Sequence, residues 1–186
     1  MQQQGIVNVR LFFNAVSEIT GNRRLGVIIL TNASKTRQLS IVCEHNMAIE
    51  IDRRKTANKL NELLCPEALV NLLRKVTNAE FEIHISDIVN GQYKVYIFNR
   101  DNLDITPIRA SDAILLAVAA GLPIFIEQNL MLKQSVEYKD NTLGVTIPIN
   151  SLSLQMLEES LLKAIKTEDY ETASKLRDEI KKRKRD

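Results

Sequence analysis

Residues 81–99 read FEIHISDIVNGQYKVYIFN, and this stretch decides how the rest of the chain is interpreted. From Phe81 to Ser86, apolar residues alternate with polar ones, which is typical of a strand with one buried face. Asn90-Gly91 is a strong signal for a tight turn, so a second strand is expected to return over residues 93–99. The stretch therefore predicts an antiparallel β-hairpin.

The residues on either side of this hairpin predict the same succession of elements twice. Downstream, we expect a third strand at residues 103–108, a helix at 111–120 that ends before Pro123, and a short helix or strand at 124–132. Upstream, we expect strands at residues 6–19, 25–31 and 39–43 and helices at 46–54 and 57–77. The last of these helices takes its apolar face from Leu60, Leu63, Leu64, Val70, Leu72 and Leu73, and Pro66 is expected to break or restart it.

The clearest internal similarity sets Asn46-Met-Ala-Ile beside Ser111-Asp-Ala-Ile, because each tetrapeptide enters a helix after a third strand. We therefore predict an α+β fold in which β-β-β-α-α repeats are duplicated over residues 1–135. Residues 136–153 are polar, contain Gly144 and Pro148, and predict a linker.

Residues 154–186 predict a separate helical hairpin with a basic tail. Apolar side chains recur at helical spacing at Leu154, Leu157, Leu161 and Ile165, and then at Ala173, Leu176 and Ile180. Thr167 is a suitable N-cap for the second helix. Two short amphipathic helices bury both stripes poorly by themselves, so we expect the main domain, another copy or a partner to complete their core.

Composition and charge describe a globular protein without a strongly basic surface. The chain has 186 residues, 45% of them hydrophobic, and no apolar run approaches the roughly 18 residues of a membrane span. The net charge is +2; residues 181–186 carry +4, which leaves −2 for residues 1–180 and disfavours general coating of DNA. Cys43 and Cys65 are widely separated and no signal-peptide pattern is present, so we expect reduced thiols and a cytoplasmic location.

Residues 109–126 resemble the signature of the bifunctional nuclease (DNase/RNase) domain of bacteria and plants. That signature runs Arg-Pro-Ser-Asp-Ala-Ile, then a helix of small and aliphatic residues, then Gly-x-Pro-Ile; here Ala110 replaces the usual proline. The resemblance extends less specifically over residues 7–133. It implies that the duplicated repeats form one barrel-like sheet, and that the protein uses a metal to hydrolyse DNA and RNA with little sequence preference.

The segment from Tyr170 to Ile180 is similar to the UVR motif of the excision-repair proteins UvrB and UvrC, through Tyr-Glu-x-Ala-x-x-Leu-Arg-Asp-x-Ile. In that family the motif is a helical hairpin that pairs with another UVR hairpin. The resemblance implies a homo-oligomer or a UVR-containing partner, in a bacterial setting of DNA repair. The residues expected to contact that partner are Tyr170, Ala173, Leu176, Arg177 and Ile180.

Within the nuclease-like segment, Asp112 is the strongest candidate for chemistry. A carboxylate can hold Mg²⁺ or Mn²⁺, which polarises a phosphate and activates water. Arg109, Ser111 and Glu127 complete this catalytic group, and Glu127 is also a candidate second metal ligand, although a solvated charge is the simpler explanation of Glu127. The alternative is structural: Ser111 as a helix cap, Asp112 as a first-turn anion, and Arg109 as its ion-pair partner.

Other polar residues carry weaker signals. His84 and His45 are possible general bases, although a lone histidine is more often a surface or hydrogen-bonded residue. Arg53-Arg54-Lys55 is the only three-residue basic run of the main domain and is a candidate phosphate contact, although a solvated helix end explains it equally well.

Two functions remain open from the sequence. The first is a metal-dependent nuclease with DNA and RNA as substrates. The second is a non-catalytic adaptor in DNA repair or the stress response. Phosphate-binding glycine loops and Gly-x-Ser-x-Gly elbows do not occur in the chain, which argues against a nucleoside triphosphatase and a serine hydrolase.

Overall fold

Two antiparallel three-stranded meanders form most of the sheet. The computed structural model describes residues 7–19, 22–56, 58–138 and 147–185. The first meander consists of β1 (Asn8–Ile19), β2 (Asn22–Asn32) and β3 (Arg37–Glu44), and the second of β4 (Phe81–Val89), β5 (Gln92–Asn99) and β6 (Ile105–Ile108). The hairpin that the sequence predicted at 81–99 is confirmed, with Val89 paired to Gln92 across the turn.

A short strand joins the two meanders into one eight-stranded sheet in the order β6-β5-β4-β7-β1-β2-β3-β8. This strand is β7 (Ile124–Glu127), which runs parallel to β4 and antiparallel to β1. β8 (Val136–Glu137) pairs with β3 at one edge. Among the described strands, β6 and β8 are edges that do not pair with each other. The α+β class is confirmed, and the sheet is open where a barrel-like closure was expected.

The first helix after each meander confirms the internal correspondence. α1 (His45–Asp52) follows β3, and α3 (Ala110–Ala120) follows β6. Their N-cap residues Glu44 and Arg109 have nearly the same backbone conformation, with φ −63° and ψ 142° against φ −64° and ψ 143°. The repeats then diverge, because two 3-10 segments and α2 (Cys65–Val76) follow α1, whereas β7 and α4 (Gln128–Gln134) follow α3.

The helix predicted at 57–77 is shorter and is oriented differently from the prediction. Residues 59–63 form a 3-10 turn, Pro66 lies in the first turn of α2, and residue 57 is outside the described ranges. Val70 is buried as expected, but most of the leucines predicted to face the core are exposed: Leu60, Leu63, Leu72 and Leu73. The reason is that α2 contacts the domain through the face that carries Glu67, Val70 and Arg74.

The main core lies between the sheet and the helices α1, α3 and α4. It includes Leu30, Ile51, Ile83 and Ile114, each fully buried. β2 and α1 approach closely at Gly26, where an added Cβ would lie 2.6 Å from the Cβ of Ala48.

The C-terminal helices α5 (Leu154–Lys166) and α6 (Tyr170–Arg183) form the predicted hairpin, with a hydrophobic cluster of their own. The segment before α5 completes that cluster, because Ile147, Ile149 and Leu152 pack against the helices. Two of the side chains predicted to be in the stripe are exposed, Leu154 and Ile165. The predicted linker therefore contributes to the hairpin core from residue 147 onward; its residues 139–146, with Gly144, lie outside the described ranges.

The cap between the two helices differs from the prediction. Asp169 is the N-cap of α6 and its carboxylate accepts from the Thr172 amide, whereas Thr167 ends α5 and its hydroxyl donates to the Lys163 carbonyl. Asp169 lies closer to the start of α6 and carries the charge that the helix dipole favours there. Within the described chain, no helix has the length and apolar character of a membrane span.

Candidate functional site

A cavity of about 1410 Å³ lies where the ends of the two meanders meet the segment that leads into α5. Its lining includes Glu44 and His45 from the start of α1, and Arg109 and Ser111 from the start of α3. Tyr93 of β5 and Ser153, the N-cap of α5, line the same space. The cavity thus unites the two positions that the internal duplication relates to each other.

Two helix N-termini converge on this cavity. In both α1 and α3 the N-cap backbone is extended, and no side chain among the described residues caps the first turn. The N–H groups of a first turn have no partner within their helix, and the helix dipole makes that end positive. Two such ends on one cavity favour an anion such as a phosphate, whereas the carboxylates of Glu18, Glu44 and Glu159 in the same lining oppose it.

Arg109 lines the cavity together with a second arginine, Arg24. The Nε of Arg109 lies 2.6 Å from Oδ2 of Asp112 and its Nη2 lies 3.2 Å from Oδ1, so the guanidinium donates to both carboxylate oxygens. Its Nη1 lies 3.8 Å from Oε1 of Glu44. The hydrogen bond to Asp112 raises the pKa of Arg109, which therefore stays charged. The structural alternative for this pair is thus realised, and the cap position belongs to Arg109 while Ser111 follows inside the helix.

Glu127 belongs to a different part of the sheet. It ends β7, where its carboxylate accepts from Nδ2 of Asn129 at 3.0 Å. Two strands separate β7 from β6, the strand that leads to Asp112, and this spacing corresponds to about 14 Å. Across the described residues, no group of three histidine, cysteine, aspartate or glutamate side chains has the arrangement of a metal site. These placements do not fit a metal centre shared by Asp112 and Glu127.

The two histidines lie in different surroundings. His45 is the first residue of α1 and lines the cavity. His84 is half-buried in an aromatic group, with ring centroids 5.4 Å from Tyr96 and 5.3 Å from Phe125, and its Nε2 lies 2.9 Å from the carboxylate of Glu82. His84 is therefore engaged in packing, and His45 is the histidine that can meet a ligand in the cavity.

The basic run at 53–55 is paired with carboxylates. Arg53 and Lys55 each form an ion pair within their own helical segment, with Glu50 at 2.8 Å and with Asp52 at 2.6 Å. The side chain of Arg54 is only 4% exposed. Phosphate contacts by this run are therefore restricted to Arg53 and Lys55, and require exchange of their present partners.

The residues predicted to contact a UVR partner separate into two groups. Ala173, Leu176 and Ile180 are buried inside the hairpin itself, whereas Tyr170 and Arg177 are exposed. A partner that docks on the folded hairpin meets the second group.

Two residues of the cavity were missed from the sequence. Glu44 occupies the position that corresponds to Arg109, and extending the tetrapeptide correspondence by two residues towards the N-terminus finds it. Tyr93 is buried, its hydroxyl has no hydrogen-bond partner among the described residues, and burial raises its pKa. No sequence signal distinguishes this tyrosine from one that only packs.

Two family models match the chain. The model of the bifunctional nuclease domain matches residues 28–139. The model of the UvrB/UvrC motif matches residues 153–185. Both resemblances noted in the sequence are thereby confirmed. Among curated proteins, no match to the chain is found.

Proposed function

Since the chain belongs to the bifunctional nuclease domain family, we propose that it hydrolyses phosphodiester bonds in DNA and RNA with little sequence preference, at the cavity between the starts of α1 and α3. The observation that carries the proposal is the convergence of two uncapped helix N-termini and the Arg109 guanidinium on one cavity among the described residues. This arrangement suits a phosphodiester of any sequence, because none of these groups reads a base.

The ion pair at Arg109 suggests how its neighbours act when substrate binds. A substrate phosphate binds the Arg109 guanidinium in place of the Asp112 carboxylate, because a phosphate and a carboxylate can each accept two parallel hydrogen bonds from a guanidinium. The released Asp112 carboxylate then accepts the proton of a water molecule that forms the new bond to phosphorus. The bond to the leaving sugar oxygen breaks, this oxygen takes up a proton from solvent water, and Arg109 and the helix ends stabilise the charge on the phosphoryl oxygens.

The divalent metal that the family resemblance implies, Mg²⁺ or Mn²⁺, is a separate prediction. Asp112 is engaged with Arg109 and Glu127 with Asn129, so these carboxylates do not fit a shared metal site. Chelation decides whether the reaction needs one.

The test compares supercoiled plasmid and single-stranded RNA, each with Mg²⁺, with Mn²⁺ and with a chelator. Asp112→Ala and Arg109→Ala are expected to lower the cleavage rate at least about 100-fold, the effect of losing a positioned proton acceptor or charge. Asp101→Ala is the matched control, because Asp101 is an exposed carboxylate in the turn after β5. Cleavage that survives both substitutions would refute the assignment of this site.

A non-catalytic adaptor is the second candidate. It is favoured by the engagement of Asp112 with Arg109 and by the UVR hairpin, which in its family is an interaction module. In that case Tyr170 and Arg177 present the surface for a UVR-containing partner or a second copy in DNA repair or the stress response. A folded sample that cleaves neither substrate under any metal condition supports this function over the nuclease.

A further inference from the structure

Helix α2 packs on the domain with its polar side. Glu67 is buried, and its carboxylate accepts from Arg54 Nε at 2.6 Å and from Arg54 Nη2 at 2.9 Å. Arg74, two turns along, donates from Nη2 to the carbonyl oxygen of Ala120 at 2.7 Å. Val70 lies between them and is buried. The residues 67, 70 and 74 therefore define the face that contacts the domain.

The opposite side of α2 is apolar and exposed. Leu69, Leu72, Leu73 and Val76 follow the spacing of one helix face, and about half or more of each residue is exposed. The preceding 3-10 turn extends this surface with Leu60 at 66% and Leu63 at 81% exposure. We refer to the six residues Leu60, Leu63, Leu69, Leu72, Leu73 and Val76 as the leucine stripe.

We propose that the leucine stripe is a dimer interface, in which α2 packs against α2 of a second copy of this chain about a two-fold axis. With about 120 Å² for a fully exposed leucine side chain, the observed exposures give the stripe about 450 Å² of apolar surface. A patch of this size matches the largest apolar patch of a typical monomer, which often has a binding function. Two copies supply about 900 Å², the apolar share of a standard interface of roughly 1,400 Å².

A second copy is the occupant that this surface fits best. All six side chains are uncharged, so two stripes can face each other about a two-fold axis without burying a charge. Exposed Lys75 lies near one end of the stripe, and the 3-10 turn at the other end carries exposed Glu62 beside exposed Lys59. An antiparallel pairing of the helices brings Lys75 of each copy towards Glu62 of its partner.

The stripe is separate from the nuclease proposal. None of its residues lines the cavity between α1 and α3, so the interface and the reaction can be tested independently. It is also separate from the UVR hairpin, whose exposed apolar residues include Leu162 and Ile165 on α5.

Sedimentation velocity of the full chain over a concentration series tests the interface. Leu72→Glu and Leu63→Glu each place two charges in the interface, one per copy, and are expected to weaken self-association at least about 100-fold. Leu103→Glu and Leu162→Glu are matched controls, because these leucines are 69% and 62% exposed and lie outside the stripe. Both controls are expected to sediment as the wild-type chain does.

Circular dichroism establishes that each variant is folded, and Leu63→Glu decides the result if Leu72→Glu disturbs α2, since residue 63 precedes that helix. A wild-type chain that is monomeric at every concentration overturns the proposal. Self-association that survives both stripe variants, or that only Leu162→Glu abolishes, also overturns it. A monomer that co-sediments with phosphatidylcholine vesicles overturns it as well, by assigning the stripe to a lipid surface.

Discussion

Replacing Glu67 with alanine tests the account of how α2 is held. The carboxylate of Glu67 receives two parallel hydrogen bonds from Arg54, and the two side chains are 11% and 4% exposed. Solvent therefore screens this pair much less than the surface ion pairs of the chain. Removing one partner leaves the Arg54 guanidinium in a buried place with part of its hydrogen bonding lost.

The expected loss of stability follows from the partners that remain. Breaking a buried ion pair costs about 3–5 kcal/mol. Arg54 keeps Glu50, whose Oε2 lies 3.2 Å from Nη1 and whose carbonyl oxygen also accepts from that atom. We therefore expect Glu67→Ala to lower the free energy of unfolding by about 3 kcal/mol, the lower end of that range.

The loss should also depend on pH in a definite direction. The hydrogen bond from Arg54 lowers the pKa of Glu67 in the folded state below its ordinary value. The stabilisation is then fully present above the ordinary glutamate pKa and is lost as the pH falls through the folded one. The difference between wild type and Glu67→Ala is therefore largest at neutral pH and narrows in acid.

Urea denaturation at one fixed protein concentration, at neutral pH and in a series of acidic buffers, measures both effects. Glu137→Ala is the matched control, because Glu137 is exposed in β8 and lies outside the leucine stripe, and it should change stability by less than about 0.5 kcal/mol. The double variant Arg54→Met, Glu67→Leu should recover most of the loss, since an apolar pair replaces the ion pair. A cost below about 1 kcal/mol, or one independent of pH, would show that this ion pair does not hold α2 on the domain.

Three further predictions concern the main domain. Gly26→Ala should cost about 1–3 kcal/mol in urea denaturation, because the new Cβ would lie 2.6 Å from that of Ala48; recovery in the double variant with Ala48→Gly would confirm the cause. A thiol reagent at mildly alkaline pH should modify Cys65, which is exposed. Cys43 should react only after unfolding, because burial raises its pKa to about 11. Two thiols that react in the native state would contradict this prediction. Tyr93→Phe should leave the free energy of unfolding unchanged or raise it by up to about 1 kcal/mol in urea denaturation, because it removes a buried hydroxyl that has no partner among the described residues. A clear loss of stability would show that the hydroxyl has a partner.

The parts of the fold that the sequence predicted are those with local causes. Asn90 and Gly91 have φ values of 52° and 79°, and a two-residue turn of this kind needs residues that accept a positive φ. The alternation on either side of the turn then sets the register of β4 and β5. Apolar residues at helical spacing, which are also a local signal, predicted the first helix after each meander and the C-terminal hairpin.

The parts that escaped prediction depend on distant partners. The sequence does not decide between helix and strand for residues 124–132. They divide into β7 and α4 because β7 is inserted between β4 and β1. That insertion also sets Glu127 apart from Asp112, although the two residues are close in the sequence. The site residues Glu44 and Arg109 meet because the ends of both meanders converge, and no pattern within either segment records that convergence.

The orientation of α2 shows most clearly why periodicity alone is insufficient. The spacing of its leucines identifies an apolar face, and the usual rule turns that face towards the core. Here the charged side chain of Arg54 is buried beneath the helix. Glu67, the one acidic residue of α2, supplies the carboxylate that accepts two hydrogen bonds from it. A guanidinium buried without that partner costs several kcal/mol, which is comparable to burying one or two leucines. The ion pair is thus one determinant of which side of α2 faces inward, and in the proposed dimer the second copy covers the leucines.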